Sequence, residues 1–188
     1  MRTTAFFSAF VLVLFLAGTT ATAQPGLTRP PSKHNAAGSA RQGICLLYPT
    51  EGYGITGKIT FVEIIGGVRV TGLITGLAPL SKHGIHIHEY GDCSAADASS
   101  AGGHFNPANT PHGGQEDPVR HAGDLGNLEA DLNGTASFDF VDPVLTLRGE
   151  ASVIGLSVIV HQNEDDLKSQ PSGNAGARIA CGVIGLAK

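Results

Sequence analysis

The chain has 188 residues, with 12 Lys and Arg against 16 Asp and Glu and a net charge of −4. No basic cluster interrupts that acidic balance, which excludes nucleic acid as a partner. With 26 glycines and apolar runs that are short and β-branched, the composition argues against a helical protein and for an all-β one.

The first element in chain order is a secretory signal over residues 1–23. Met1-Arg2 supplies a positive start, residues 5–18 an apolar run, and Ala21-Thr22-Ala23 a small-x-small site, so cleavage is expected after Ala23. The run falls short of the roughly 20 residues that cross a bilayer, so no membrane attachment is expected after its removal. The expected location is secreted: extracellular, or periplasmic in a bacterial host. Residues 24–42 carry three prolines and almost nothing large and apolar, and read as a flexible leader. Residues 43–188 then make one domain of a size that supports its own core.

Within that domain, strands are predicted at 44–48, 57–65, 68–77, 84–90, 124–130, 135–140, 152–161 and 177–186. Eight strands imply a sandwich or barrel. Gly66-Gly67 and Asn133-Gly134 are hairpin-type turns, and Asn133-Gly134-Thr135 also spells a glycosylation sequon. Two stretches break the rhythm, 91–121 and 162–176, and long loops inside a compact domain are usually functional.

There are three cysteines. Cys45 lies in the apolar run Ile44-Cys45-Leu46-Leu47 and reads as a buried small hydrophobe. In an exported chain that leaves Cys93 and Cys181 to form a bridge.

The histidines carry the chemistry. His86 and His88 alternate on a strand, so their rings leave the same face about 7 Å apart. In the long loop, His104, His112 and His121 fall eight and nine residues apart, Asp124 follows three later, and glycines beside them let the chain turn. Three imidazoles and one carboxylate make a closed tetrahedral set suited to zinc. His161, at the end of an apolar strand, completes a set with His86 and His88. An array of imidazoles suits copper, which accepts tetragonal nitrogen donors and cycles between two oxidation states.

The segments GIHIHEYGD (84–92), GGHFNP (102–107), His112-Gly113-Gly114, RHAGDLGN (120–127), Val160-His161 and GNAGARIACGVIGL (173–186) resemble the copper–zinc superoxide dismutases. The resemblance covers almost all of 43–188. It implies an eight-stranded Greek-key β-sandwich or barrel with two long functional loops. It implies copper on His86, His88, His104 and His161, zinc on His104, His112, His121 and Asp124, and a bridging His104. Asp165 is implied as the carboxylate joining a copper ligand to a zinc ligand, and Arg178 as the cation beside the copper that attracts superoxide. Catalytic roles would fall to His104, as proton carrier, and Arg178. The resemblance also supports the Cys93–Cys181 bridge, and a homodimer through Tyr90, Val183, Ile184 and Leu186. His83 corresponds to a position that braces the backbone, and His34 lies in the leader with no role.

One departure stands out. Between Leu167 and Gly173 the chain is about six residues shorter than in the animal enzymes, and Lys168 is the one cation left there. Two other readings are a copper carrier and a non-catalytic copper- or zinc-binding sandwich. A carrier would be expected to bring a separate Cys-x-x-Cys domain, which the chain lacks. The sandwich would need only the loop ligands, whereas His86, His88, His161 and Arg178 are all present.

Overall fold

In the computed structural model of the protein, residues 41–188 are described. The expected signal and nearly all of the leader lie outside them. Eight strands build the domain: β1 (Gln42–Pro49), β2 (Thr56–Ile64), β3 (Gly67–Thr75), β4 (Lys82–His88), β5 (Asp124–Glu129), β6 (Ala136–Asp142), β7 (Ser157–His161) and β8 (Arg178–Ala187). Alternation decides which side chains go inside. Cys45 and Leu47 of β1 are buried while Leu46 and Tyr48 between and beyond them are exposed, and Ile59 and Phe61, then Val68 and Val70, repeat the pattern on β2 and β3.

Every pairing is antiparallel, in the order β5-β4-β7-β8-β1-β2-β3-β6. The edge strands β5 and β6 approach each other, so the sheet curls into a nearly closed barrel around one core. Neighbours distant in sequence, β3 with β6 and β4 with β7, are Greek-key crossings.

The structure moves three expected features. β7 begins at Ser157, not 152, because Gly155 takes φ 91 and the Leu156 amide bonds back to the Val153 carbonyl, which makes a turn of that stretch. The β2–β3 hairpin turns on Ile65-Gly66, one residue early, since Gly67 already pairs with Ile64. The long loop after β4 also contains a short 3₁₀ turn, Ser99–Ala101.

β4 is the element that matters most for function. After exposed Lys82, residues from His83 to His88 are all buried. Ile85 and Ile87 face the core, and His86 and His88 face the opposite side, where the two long loops cover them. The first loop folds back along β4: the Phe105 amide bonds to the Ile87 carbonyl, and the Ile87 amide to the Gly123 carbonyl. That return places His104 in a β-bridge with His88. A disulfide between Cys93 and Cys181 ties the same loop to β8, and Cys45 is a free buried thiol.

Candidate metal centre

Four elements bring seven side chains together. β4 supplies His86 and His88, the loop after it supplies His104, His112 and His121, β5 begins with Asp124, and β7 ends with His161. They form two sets that share His104: His86, His88, His104 and His161 in one, and His104, His112, His121 and Asp124 in the other. Within each set the donor atoms lie within 4.8 Å of one another, and all seven side chains are almost fully buried.

The hydrogen bonds around the first set fix where its protons sit. His88 Nδ1 donates to the Gly102 carbonyl at 2.9 Å, and His161 Nδ1 to the Gly176 carbonyl at 3.2 Å. A carbonyl oxygen only accepts, so each Nδ1 carries the hydrogen and each Nε2 is bare. Those two bare nitrogens face each other at 3.4 Å. His86 donates from Nε2 to Asp165 Oδ2 at 2.8 Å, which leaves its Nδ1 bare, buried and without a partner; His104 Nε2 is buried and partnerless too. Converging lone pairs in a dry site repel unless a cation sits between them. Four imidazole nitrogens suit copper.

The second set converges on one oxygen. Asp124 Oδ1 lies 2.8 Å from His104 Nδ1, 3.0 Å from His112 Nδ1 and 3.2 Å from His121 Nδ1. His112 Nδ1 nonetheless has no aligned hydrogen bond. Short distance with poor alignment is the arrangement of ligands aimed at a common point, and three imidazoles with a carboxylate fit zinc. Asp124 Oδ2 is held separately by the amides of Gly113 and His121.

The electrostatics agree with metal-donor duty. Burial holds His86 down to about 4 and His161 to about 3, and it keeps His88 well below the usual imidazole value, so all three are neutral donors near pH 7. Burial also lowers His121. It opposes ionisation of Asp124 and Asp165, but the His104 hydrogen bond and the close His112 ring at the first, and hydrogen bonds from His112 and His86 at the second, outweigh it and hold both carboxyls below the usual range. His112 goes the other way: burial lowers it, yet Asp124 and Asp165 on either side push it up to about 9. A cation at the convergence point would take over from that proton.

Around the ligands lies a ring of supports. Asp165 joins His86 to His112 through its two oxygens. The side-chain amide of Asn127 in turn grips the Asp165 backbone, accepting from its amide at 2.8 Å and donating to its carbonyl at 2.9 Å. Buried Arg120 donates to the carbonyls of His121 and Asp124 and pairs with Asp142 at 2.7 Å. The guanidinium of Arg178 donates to the Ala98 and Gly102 carbonyls, both at 2.6 Å. His83 donates from Nδ1 to the His161 carbonyl, a backbone brace as expected.

Sequence reasoning assigned no role to Arg120, Asn127 or Gln170. Arg120 and Asn127 lie inside the RHAGDLGN segment, but nothing in that string names Asp142 or Asp165 as partners. At the expected dimer patch Tyr90, Val183 and Leu186 are exposed, whereas Ile184 is wholly buried and belongs to the core. Among the described residues no helix is long and apolar enough to cross a membrane.

A family model described as copper/zinc superoxide dismutase matches residues 55–184. The chain is also 46% identical over 140 residues to a "Superoxide dismutase [Cu-Zn]" of Paramecium bursaria Chlorella virus 1, an alignment covering 71% of this chain and 74% of that protein.

Proposed function

Because the chain belongs to the copper/zinc superoxide dismutase family, and is an enzyme of that activity using copper and zinc, we propose which of its residues do the work. His86, His88, His104 and His161 hold the copper. His104, His112, His121 and Asp124 would hold the zinc, with His104 common to both sets. The observation that carries this reading is the pair of bare Nε2 atoms of His88 and His161 at 3.4 Å, beside the partnerless Nε2 of His104.

Copper, when bound, supplies a one-electron couple that takes an electron from one superoxide and gives it to the next, so two superoxides and two protons become dioxygen and hydrogen peroxide. His104 Nε2 takes up a proton in the first half of that cycle and gives it to the forming peroxide in the second. Asp165 and the Gly102 and Gly176 carbonyls keep the other rings from turning, each by holding the distal N–H. Arg178, fixed beside His88, attracts and orients the anion.

The test is metal analysis with a superoxide assay on the mature chain. One copper and one zinc per chain are expected, with a Cu(II) spectrum that changes in His104→Ala; zinc alone after copper reconstitution would overturn the assignment. A sandwich that merely stores metal would not need Arg178.

The exported location rests on the sequence of residues 1–23, and the first residue of protein recovered from its host should be Gln24. Exposed Tyr90, Val183 and Leu186 support a homodimer.

A further inference from the structure

The segment 167–173, whose one charged residue is Lys168, makes specific contact with the loop that carries His112. His112 sits in that loop with no strand to satisfy its backbone. Its amide donates to Gln170 Oε1 at 2.8 Å, and its carbonyl accepts from Gln170 Nε2 at 2.9 Å. Among the described residues neither group has another partner. The remaining hydrogen of Nε2 goes to the Lys168 carbonyl at 3.1 Å. A carboxamide is the one side chain with an acceptor and a donor placed side by side, so it pairs with a peptide unit as a neighbouring strand would.

Two further contacts hold the same segment against the loop that carries this ligand. Gly173 takes φ 63, and a side chain there would run into the Asp165 carboxylate and the His112 ring. The Leu167 side chain lies against Gly114, so that a Cβ added there would meet Leu167 Cδ1 at 3.5 Å. His112 is thus held at its ring by Asp165 and at its backbone by Gln170, with Gly173 leaving room for the ring beside it.

We propose that Gln170 is a positioning residue for zinc, clamping the backbone of His112 so that Nδ1 stays aimed at the convergence point. This rests on the reading of His112 as a zinc ligand. The clamp acts on retention of the metal, since a ligand whose backbone is held loses less freedom when it binds, and partners of this outer kind are worth roughly 10- to 100-fold in metal affinity.

The experiment follows zinc release from the copper- and zinc-loaded protein into a chromogenic chelator, for wild type, Gln170→Ala, Gln170→Glu, His112→Ala and Lys168→Ala. Gln170→Ala should release zinc about tenfold faster. Gln170→Glu keeps the acceptor but sets a carboxylate oxygen against the His112 carbonyl, and should also release faster, while Lys168→Ala should match wild type. Cobalt(II) substituted for zinc should give a changed visible spectrum in both Gln170 variants. Melting with and without metal separates the clamp from general loop stability: Gln170→Ala should lower the melting temperature more in the zinc-loaded protein than in the metal-free one. Wild-type release from Gln170→Ala, or an equal loss of melting temperature with and without metal, would overturn the proposal while His112→Ala still loses zinc. Zinc held as tightly by His112→Ala as by wild type would instead remove the ligand assignment, and the clamp with it.

Discussion

Arg178 and His88 donate to the same atom, the carbonyl oxygen of Gly102, at 2.6 Å and 2.9 Å. The proposed substrate-steering cation and the proposed copper ligand are therefore located against one another through a single backbone group. Arg178 also raises the cost of protonating His88 and His161.

Replacing Arg178 by Ala should lower the second-order rate by about tenfold or more, as expected where a local cation steers an anion. Both metals should remain bound, with a modest shift in the Cu(II) spectrum as the Gly102 carbonyl loses one of its donors. Arg178→Lys should recover part of the rate but not the spectrum, since an ammonium cannot span two carbonyls. Lys168→Ala should change little, because at roughly 0.15 M salt charges beyond about 8 Å are screened. Pulse radiolysis against ionic strength decides, and a wild-type rate in Arg178→Ala at full copper occupancy would refute the assignment.

Asp165 serves both sets, and Asp124 only one. Asp165→Asn should weaken zinc by roughly 10- to 100-fold, the usual cost of losing such a partner, and loosen the copper ligand His86 as well. Asp124→Ala should lose zinc with copper retained. Competitive titration with a zinc chelator, read beside the copper spectrum, separates the two.

Acid should unfold the metal-free protein earlier than it unfolds the loaded one. His86 and His161 have folded values of about 4 and about 3, below the ordinary 6.5. A depressed group contributes stability that is present above 6.5 and lost as pH falls toward those folded values. His112, raised to about 9, has the opposite sign: its contribution is present below 6.5 and lost as pH rises through 9. The metal-free melting temperature should accordingly peak near pH 6.5 and fall on both sides. A melting temperature flat from pH 4.5 to 9 would contradict this.

The Cys93–Cys181 bridge spans 88 residues of sequence. On the chain-entropy account its loss costs roughly 4 kcal/mol, so Cys93→Ser should unfold at clearly lower denaturant. Burial pushes the Cys45 thiol up to about 12, and it should stay inert to thiol reagents until the protein unfolds. Denaturant titration and thiol counting check both.

Exposed Val183, Leu186 and Tyr90 predict a dimer that Val183→Glu dissociates. Sedimentation of the wild type as a monomer at micromolar concentration would refute it.

The two clusters of donor side chains were legible because they stand as spaced repeats of one residue type between glycines, and the eight strands because alternation is a local signal. Partners reached only by folding were not. Arg120 finds Asp142 across 22 positions, and Gln170 finds His112 across 58. An amide in a polar loop carries no mark of the backbone it will grip. The misplaced residue Ile184 follows from strand geometry: it alternates with Val183, so only one of the two can face outward, while Leu186 escapes burial at the end of β8. Residues 152–156 read as strand because their apolar character belongs to a turn that buries Val153 and packs Ile154 and Leu156 against the core.

On β4 the isoleucines and histidines take alternate positions, so a slip of one residue would carry His86 and His88 into the oil and turn Ile85 and Ile87 toward the loops. A chain with β4 in the wrong register would thus lose two of the four donors of the first set. Loading of that set is in this sense a proofreading step: it favours molecules whose β4 has been paired correctly, and it doubles as an audit of the fold.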